Sequence, residues 1–311
     1  MRAPPSDLLR METEVTRPDL KLLRGAIDMH AHTAPALFPR PIYDSDLAKT
    51  ALDYGMRGFV LKDHDSATIH RAFYVSKLFP GLDPVGAIVL NRSVGGLNPY
   101  VVEAALHYGT RVVWMPSNHA KHHDDYFGMP DYPQLGRKRP QLPGPGVTVL
   151  DENGKLKPEV LQILDSVAAA DACLCTGHLS LEEVRLLEDA AIDHGVRKFL
   201  VTHVNWALCK KDLDIQRELV ARGAFLEYVA ISCVSPTFYE QPPSELAEWI
   251  NETRGEHIIL SSDLGQGSGP PHPEGIRMLL FSLLDEGVPY DYLEKMTQAN
   301  PSYLCGFESA P

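Results

Sequence analysis

The sequence predicts an α/β chain folded as a (β/α)8 barrel, with no β-sandwich domain beside it. Eight short apolar runs alternate with runs of helical character, as parallel strands joined by helical crossovers do. Polar residues, histidines above all, collect at the C-terminal ends of the apolar runs, the end where such barrels carry their chemistry. A length of 311 residues holds one barrel of roughly 250 residues with extensions and leaves no region large enough for another domain.

Residues 1–24 are mixed and proline-containing and read as an N-terminal arm or short helix over the N-terminal end of the barrel, which then occupies 25–311. The arm has no apolar core of the kind a signal peptide needs. Gly25-Ala-Ile-Asp-Met-His-Ala-His-Thr33 opens the barrel with a strand over 26–32. Simple alternation would put Asp28, His30 and His32 on one face, and Ile27, Met29 and Ala31 on the other, outward face. Pro35, Pro39 and Pro41 keep the next segment non-helical. A helix over 45–54 ends at Gly55, and a second strand, 58–64, runs into polar residues. Ser66 is the expected N-cap of the helix that follows, through Lys77. The third strand is 85–90. Asn98-Pro99 marks the next helix as N-cap with proline in the first position, and the fourth strand, 111–115, runs into Pro116-Ser-Asn-His119.

A stretch at about 118–157 breaks the rhythm. It is rich in Pro and Gly and reads as a lid-like insertion, since loops of this length in compact domains are usually lids or binding loops. It contains His122 and His123, read as exposed loop residues, the basic run Arg137-Lys138-Arg139, which would suit an anionic substrate under a closed lid, and a small hairpin through Asn153-Gly154. A helix from Pro158 to about Ala169 leads to the fifth strand, 172–176. Ser180 and Glu183 form a capping box that starts another helix at once. The sixth strand is 198–203, followed by a helix over 212–221. The seventh is 224–229, and Ser244 is the expected cap of the helix before Gly255. The eighth, 257–263, ends in an aspartate. A last long helix, 274–285, shows an apolar stripe at Ile276, Leu279, Leu280 and Leu283.

The formal net charge is −12, with 41 acidic and 29 basic residues, which argues against nucleic acid or an anionic membrane as partner. No stretch is apolar enough to cross a membrane. The five cysteines are scattered. Cys173 and Cys175 share a strand face in poor disulfide geometry, so reduced thiols and a cytoplasmic setting are expected. A small-molecule substrate is the expected partner, and a homo-oligomer is left open.

At the strand ends lie His30 and His32, then Lys62 and His64, then His119, His178, His203 and finally Asp263. A barrel brings all of these to one face. Nitrogen and carboxylate donors of this kind suit a divalent metal, zinc first, with manganese, iron or nickel as alternatives. Asn205 and Trp206, just past the sixth strand, are candidate pocket residues.

The set Ile27-Asp-Met-His-Ala-His32, Thr176-Gly-His178, Val201-Thr-His203 and Ser261-Ser-Asp263, with the tail Ala299-Asn-Pro-Ser-Tyr-Leu-Cys-Gly306, resembles the amidohydrolase superfamily of metal-dependent barrels over about 25–307. The resemblance implies His30 and His32 as ligands of a first metal, with Asp263 as ligand and proton shuttle. His178 and His203 would hold a second, or His178 would join a single-metal site with His203 as a polarising group. Many binuclear members bridge their metals with a carboxylated lysine on the fourth strand, and 111–115 has none. Lys62 is the nearest substitute, as a bridge, a substrate-binding ammonium or an acid. On this reading one or two divalent ions activate water, Asp263 moves the proton, and Lys62, His64 or His203 steady the oxyanion. His64, His119 and Asn205 contact substrate. The expected reaction is hydrolysis of an amide, lactam, lactone or ester. A single-metal decarboxylase of the same superfamily and a barrel that binds a ligand without turnover are the rival readings.

Overall fold

Strands β1 (Ile27–Ala31), β2 (Gly58–Leu61), β3 (Asp83–Val89), β4 (Val112–Trp114), β5 (Cys173–Cys175), β6 (Lys198–Val201), β7 (Phe225–Val229) and β8 (Ile258–Ser261) pair in sequence order, every pair parallel. The computed structural model describes residues 17–128, 144–210 and 212–307. At the last residue of β1 and just past β8, a parallel bridge between Ala31 and Leu264 closes the ring. Two backbone bonds support it, Asp263 N to His30 O at 2.9 Å and His32 N to Leu264 O at 3.1 Å. The result is the (β/α)8 barrel that the alternating runs predict.

Two apolar layers follow from the strand period. Ile27, Met29, Val60, Val85, Ala87, Val89, Val112, Trp114, Cys173, Cys175, Leu200, Phe225 and Ile259 form one buried cluster with Leu304 and Cys305. All but the last two come from strands, so this cluster fills the lumen. The alternate strand residues, among them Phe59, Leu61, Val113, Leu174, Leu226 and Leu260, pack with helix residues such as Leu47, Ile163, Leu187 and Leu279 in the outer shell. The tail helix Asn300–Leu304 puts Leu304 and Cys305 under the lumen, and Asn300 Nδ2 fixes it there by donating to Ile258 O at 2.6 Å and Gly255 O at 3.1 Å.

Simple alternation fails on β1. Ile27 and Met29 lie in the lumen, while Ala31 packs in the outer shell. Asp28 pairs with Phe59 but Ala31 with Leu61, so β1 carries one extra residue between those pairs. This β-bulge resets the strand's facing. Asp28 does not join the histidines at the mouth. Its Oδ1 accepts from His30 N at 3.0 Å and Ser262 N at 2.9 Å.

The capping chemistry is partly as expected. Ser180 and Glu183 form the capping box of the helix Leu181–Asp193, and Asn98 accepts from Tyr100 N at 3.0 Å above Pro99. Ser66 caps nothing: the helix starts at Ile69 after Thr68. The Thr68 hydroxyl instead donates to Leu61 O at 2.6 Å and accepts from Ala87 N at 2.9 Å, tying β2 to β3. Ser244 lies inside the helix Pro243–Thr253, whose start is set by proline. The hairpin near 147–156 reduces to one antiparallel bridge, Leu150 with Leu156. The insertion contributes a helix, Lys121–Phe127. Its basic run Arg137-Lys138-Arg139 and most of the N-terminal arm lie outside the described residues. None of the five cysteines forms a disulfide and all are buried, with the Sγ atoms of Cys173 and Cys175 3.8 Å apart. No helix among the described residues is long and apolar enough to cross a membrane.

Gly86 on β3 allows the backbone of the preceding helix, Ile69–Leu78, to lie against the barrel, since a Cβ there would sit 2.4 Å from Ile69 Cα. Gly86→Ala should lower stability by about 1–3 kcal/mol, read as a fall in the urea midpoint at unchanged m-value.

Candidate metal centre

The site lies at the C-terminal ends of the strands, and side chains bonding to backbone hold its rim. Between β1 and β8 this is Asp28 on Ser262. Across β2, β3 and β4 it is Asn91, whose Nδ2 donates to His64 O at 2.9 Å and whose Oδ1 accepts from Ser117 N at 2.9 Å. Between β5 and β6, Thr176 Oγ1 accepts from Thr202 N at 3.0 Å and Thr202 Oγ1 from Gly177 N at 3.2 Å. Between β6 and β7 it is Asn205, whose Nδ2 donates to Val229 O at 3.1 Å and whose Oδ1 accepts from Val229 N at 2.9 Å. Both ends of the Asn205 amide are thus spent inside the wall. Asn205, expected as a substrate contact, also fastens the wall, and position past a strand end does not reveal which way an amide points.

The Asp263 carboxylate is the hub. Its Oδ1 lies 3.1 Å from His30 Nε2 and 3.1 Å from His32 Nε2, and its Oδ2 3.2 Å from His203 Nε2. His203 and Asp263 both adopt left-handed backbone, φ 55° and 50°, a conformation that non-glycine residues hold mainly where surrounding structure enforces it. His30 Nδ1 is 3.1 Å from Glu227 Oε1, and His32 Nδ1 is 2.9 Å from Lys62 O. Both partners are acceptors only, so each ring donates from Nδ1 and turns an Nε2 lone pair towards the carboxylate.

Lone pairs converging on a carboxylate oxygen repel unless a cation lies among them. A proton is a poor candidate on His30 and His32, because burial lowers the first imidazole below its ordinary range and the second well below it. A divalent ion suits this set. Two groups of donors have their atoms within 4.8 Å of one another, His30 with His32 and Asp263, and His30 with His203 and Glu227. The cations of the chain itself are close. Lys62 Nζ lies 2.9 Å from His30 Nε2 and 5.1 Å from the Trp114 ring centroid, and burial lowers its ammonium below the usual lysine range. Burial also opposes protonation of His203, but the adjacent Asp263 outweighs it and raises His203 to about 9.

Glu227 is the residue the sequence reading missed. It sits on β7, fully buried, with Oε1 on His30 and Oε2 accepting from His203 N at 3.3 Å. The signal was a lone carboxylate inside the otherwise apolar run Phe225–Val229, which has no spacing partner to flag it. His178 stands apart from the hub. Its ring is 5.2 Å from that of His203 and stacks at 4.9 Å on His123, with the two Nδ1 atoms 2.8 Å apart. His123 is therefore a rim residue rather than the exposed loop residue expected, carried there by the helix Lys121–Phe127. Trp206 also faces the rim, 5.2 Å from the His178 ring and 5.5 Å from that of His203. His64 stacks on His32 at 4.8 Å, with Nδ1 2.9 Å from Ser117 Oγ. His119 is buried beyond β4, and burial and Arg92 lower it to about 4.

A model of a family of unknown function, DUF6282, matches residues 25–227, more than half of the chain. The chain belongs to that family. No curated protein matches this DUF6282 member. Solved structures match nearly end to end. An amidohydrolase from Pseudomonas aeruginosa is 12% identical with a TM-score of 0.61, over 94% of this chain and 98% of that one. The probable dipeptidase PvdM from the same organism is 10% identical with a TM-score of 0.62, over 97% and 98%. An organophosphorus hydrolase from Deinococcus radiodurans is 15% identical with a TM-score of 0.57, over 93% and 94%. At these identities the likeness is one of fold, and the fold is the one the sequence motifs implied.

Two outcomes are expected for this DUF6282 member. Glu227→Gln should weaken affinity for a divalent ion by about 10–100-fold, measured by competition with a chromogenic chelator, because His30 loses its charged acceptor. Acid should destabilise the fold between about pH 6.5 and 4. His272, whose Nε2 is 3.0 Å from His32 O, is lowered by burial to about 4, while the unfolded imidazole titrates near 6.5. A depressed folded pKa stabilises above the unfolded value and is lost as pH falls through this window. His272→Gln should make the melting temperature fall less steeply between pH 6.5 and 4.

Proposed function

We propose that this protein is a metal-dependent hydrolase that cleaves an amide, lactam, lactone or ester of a small molecule. The observation that carries the reading is the convergence of the His30, His32 and His203 Nε2 atoms on the Asp263 carboxylate, with the far nitrogens of His30 and His32 already committed to acceptors. His30, His32 and Asp263 would hold the ion, zinc first. When bound, such an ion supplies Lewis acidity, which acidifies water and polarises a carbonyl. The neighbours named as an amidohydrolase, an organophosphorus hydrolase and a probable dipeptidase support a bond-cleaving barrel.

Asp263 accepts the proton of the attacking water and passes it to the leaving group. Burial alone would hinder its ionisation, but the imidazoles around it, protonated His203 among them, keep it well below the usual carboxylate range, so it is an acceptor at neutral pH. His203, protonated against Asp263, and Lys62, desolvated above Trp114, are the cations available to a developing oxyanion. Glu227 orients His30. His178 and His123 form a separate pair at the rim, suited to substrate contact or to a second ion.

One observation favours a second reading. On β4 the residue beside His30 is Trp114, with ring centroids 5.8 Å apart, where many binuclear relatives in the resembling superfamily place a bridging lysine. A single ion is then the simpler occupancy, and it suits a decarboxylase as well as a hydrolase.

Chelator treatment should abolish turnover in a panel of esters, lactones and amides, and zinc should restore it with one ion per chain by elemental analysis. Asp263→Asn should lower kcat by about 10²–10⁴-fold. Carbon dioxide release from aromatic or enol acids, with no hydrolysis in the panel, would select the decarboxylase instead.

A further inference from the structure

We infer that Arg40 is a specificity residue of this mouth and that the substrate carries a carboxylate, which Arg40 binds. The inference rests on the mouth being the substrate site proposed above. Arg40 lies on the segment between β1 and the helix Asp44–Asp53. Its guanidinium stands 5.9 Å from the Phe38 ring centroid. Phe38 meets the His64 ring edge-on at 5.7 Å, and His64 stacks on His32. On its other side one nitrogen, Nη1, donates to Gly265 O at 3.4 Å, two residues past Asp263. Arg40 is thus held between the loops that follow β1 and β8, the two strands carrying His30, His32 and Asp263.

Held in this way, the guanidinium is nearly unused. Its Nε is buried with no hydrogen-bond partner, and no ion pair joins it to a carboxylate among the described residues. Three carboxylates act on it by charge, Asp263, Asp63 and Asp65, but none is in ion-pair contact with it, and Asp63 is taken by Arg71 at 3.0 Å and Asp263 by the histidines. A half-buried guanidinium with an unsatisfied donor is costly unless an anion completes it. Its planar fork matches a carboxylate or phosphoryl group in bidentate fashion. The wall beside it is flat and aromatic, made of Phe38 and His64, which suits a planar carboxylate better than a tetrahedral phosphoryl group. Arg71, which also donates to Thr33 O at 3.2 Å and Asp44 Oδ1 at 2.7 Å, steadies the start of the segment, so the fork is positioned before a ligand arrives.

The test is calorimetric binding to zinc-loaded protein of succinate, glutarate and phthalate, each beside its monomethyl ester, with phenylphosphonate as the phosphoryl arm. At least one diacid should bind at least tenfold more tightly than its monoester. Arg40→Met should remove that difference without changing zinc content or melting temperature, and Arg40→Lys should keep part of it. The inference is overturned if no diacid exceeds its monoester, if Arg40→Met leaves the difference intact, or if phenylphosphonate alone shows the Arg40 dependence. Binding is read without turnover. A protein that shows Arg40-dependent carboxylate binding but cleaves nothing would lose the hydrolytic reading and keep this one.

Discussion

The seam between β1 and β8 does two jobs with one set of bonds. Asp28 on Ser262, Asp263 on His30 O and His32 on Leu264 O close the cylinder and also fix the distance between the histidines and Asp263. The bulge on β1 makes this possible, because it lets a strand whose Ile27 and Met29 fill the lumen still present His30 and His32 at its mouth. Gly265, at φ 120°, completes the fit: a Cβ there would lie 2.1 Å from His32 O. Closure of the fold and assembly of the donor set are therefore one event, and a chain that fails at this seam loses both.

Around this seam each polar group in the wall has a defined task. Asn91, Thr176, Thr202 and Asn205 spend their side chains on neighbouring strands, which leaves the mouth to histidines, carboxylates and the cations Lys62 and Arg40. Buried donors and acceptors persist only when satisfied. Those four wall side chains find their partners within the chain. The Nε2 lone pairs of His30 and His32 instead face the Asp263 carboxylate, that of His30 with the Lys62 ammonium beside it, and the Nε of Arg40 has no partner; these are the groups that a metal and a substrate would complete.

Much of this was legible in the sequence because strands announce themselves by apolar runs and barrels by regular alternation. His30, His32, His203 and Asp263 stood out as polar residues at the ends of such runs, and the chain brings them together. Glu227 did not stand out, since a single carboxylate inside a strand has no partner in sequence. His123 was hidden because its place depends on how the helix Lys121–Phe127 docks. The wall bonds of Asn205 were not legible because side-chain direction just past a strand depends on backbone turns that periodicity does not describe. The facing of Met29 was misjudged for a related reason: an extra residue in a strand shows only against its partner's register.

The tail helix has a consequence for traffic. With Leu304 and Cys305 plugging the base, and Cys173, Cys175, Leu200 and Phe225 filling the cylinder above them, the described residues leave no passage through the barrel from below. A reactant that enters by the mouth cannot leave by the opposite end of the cylinder.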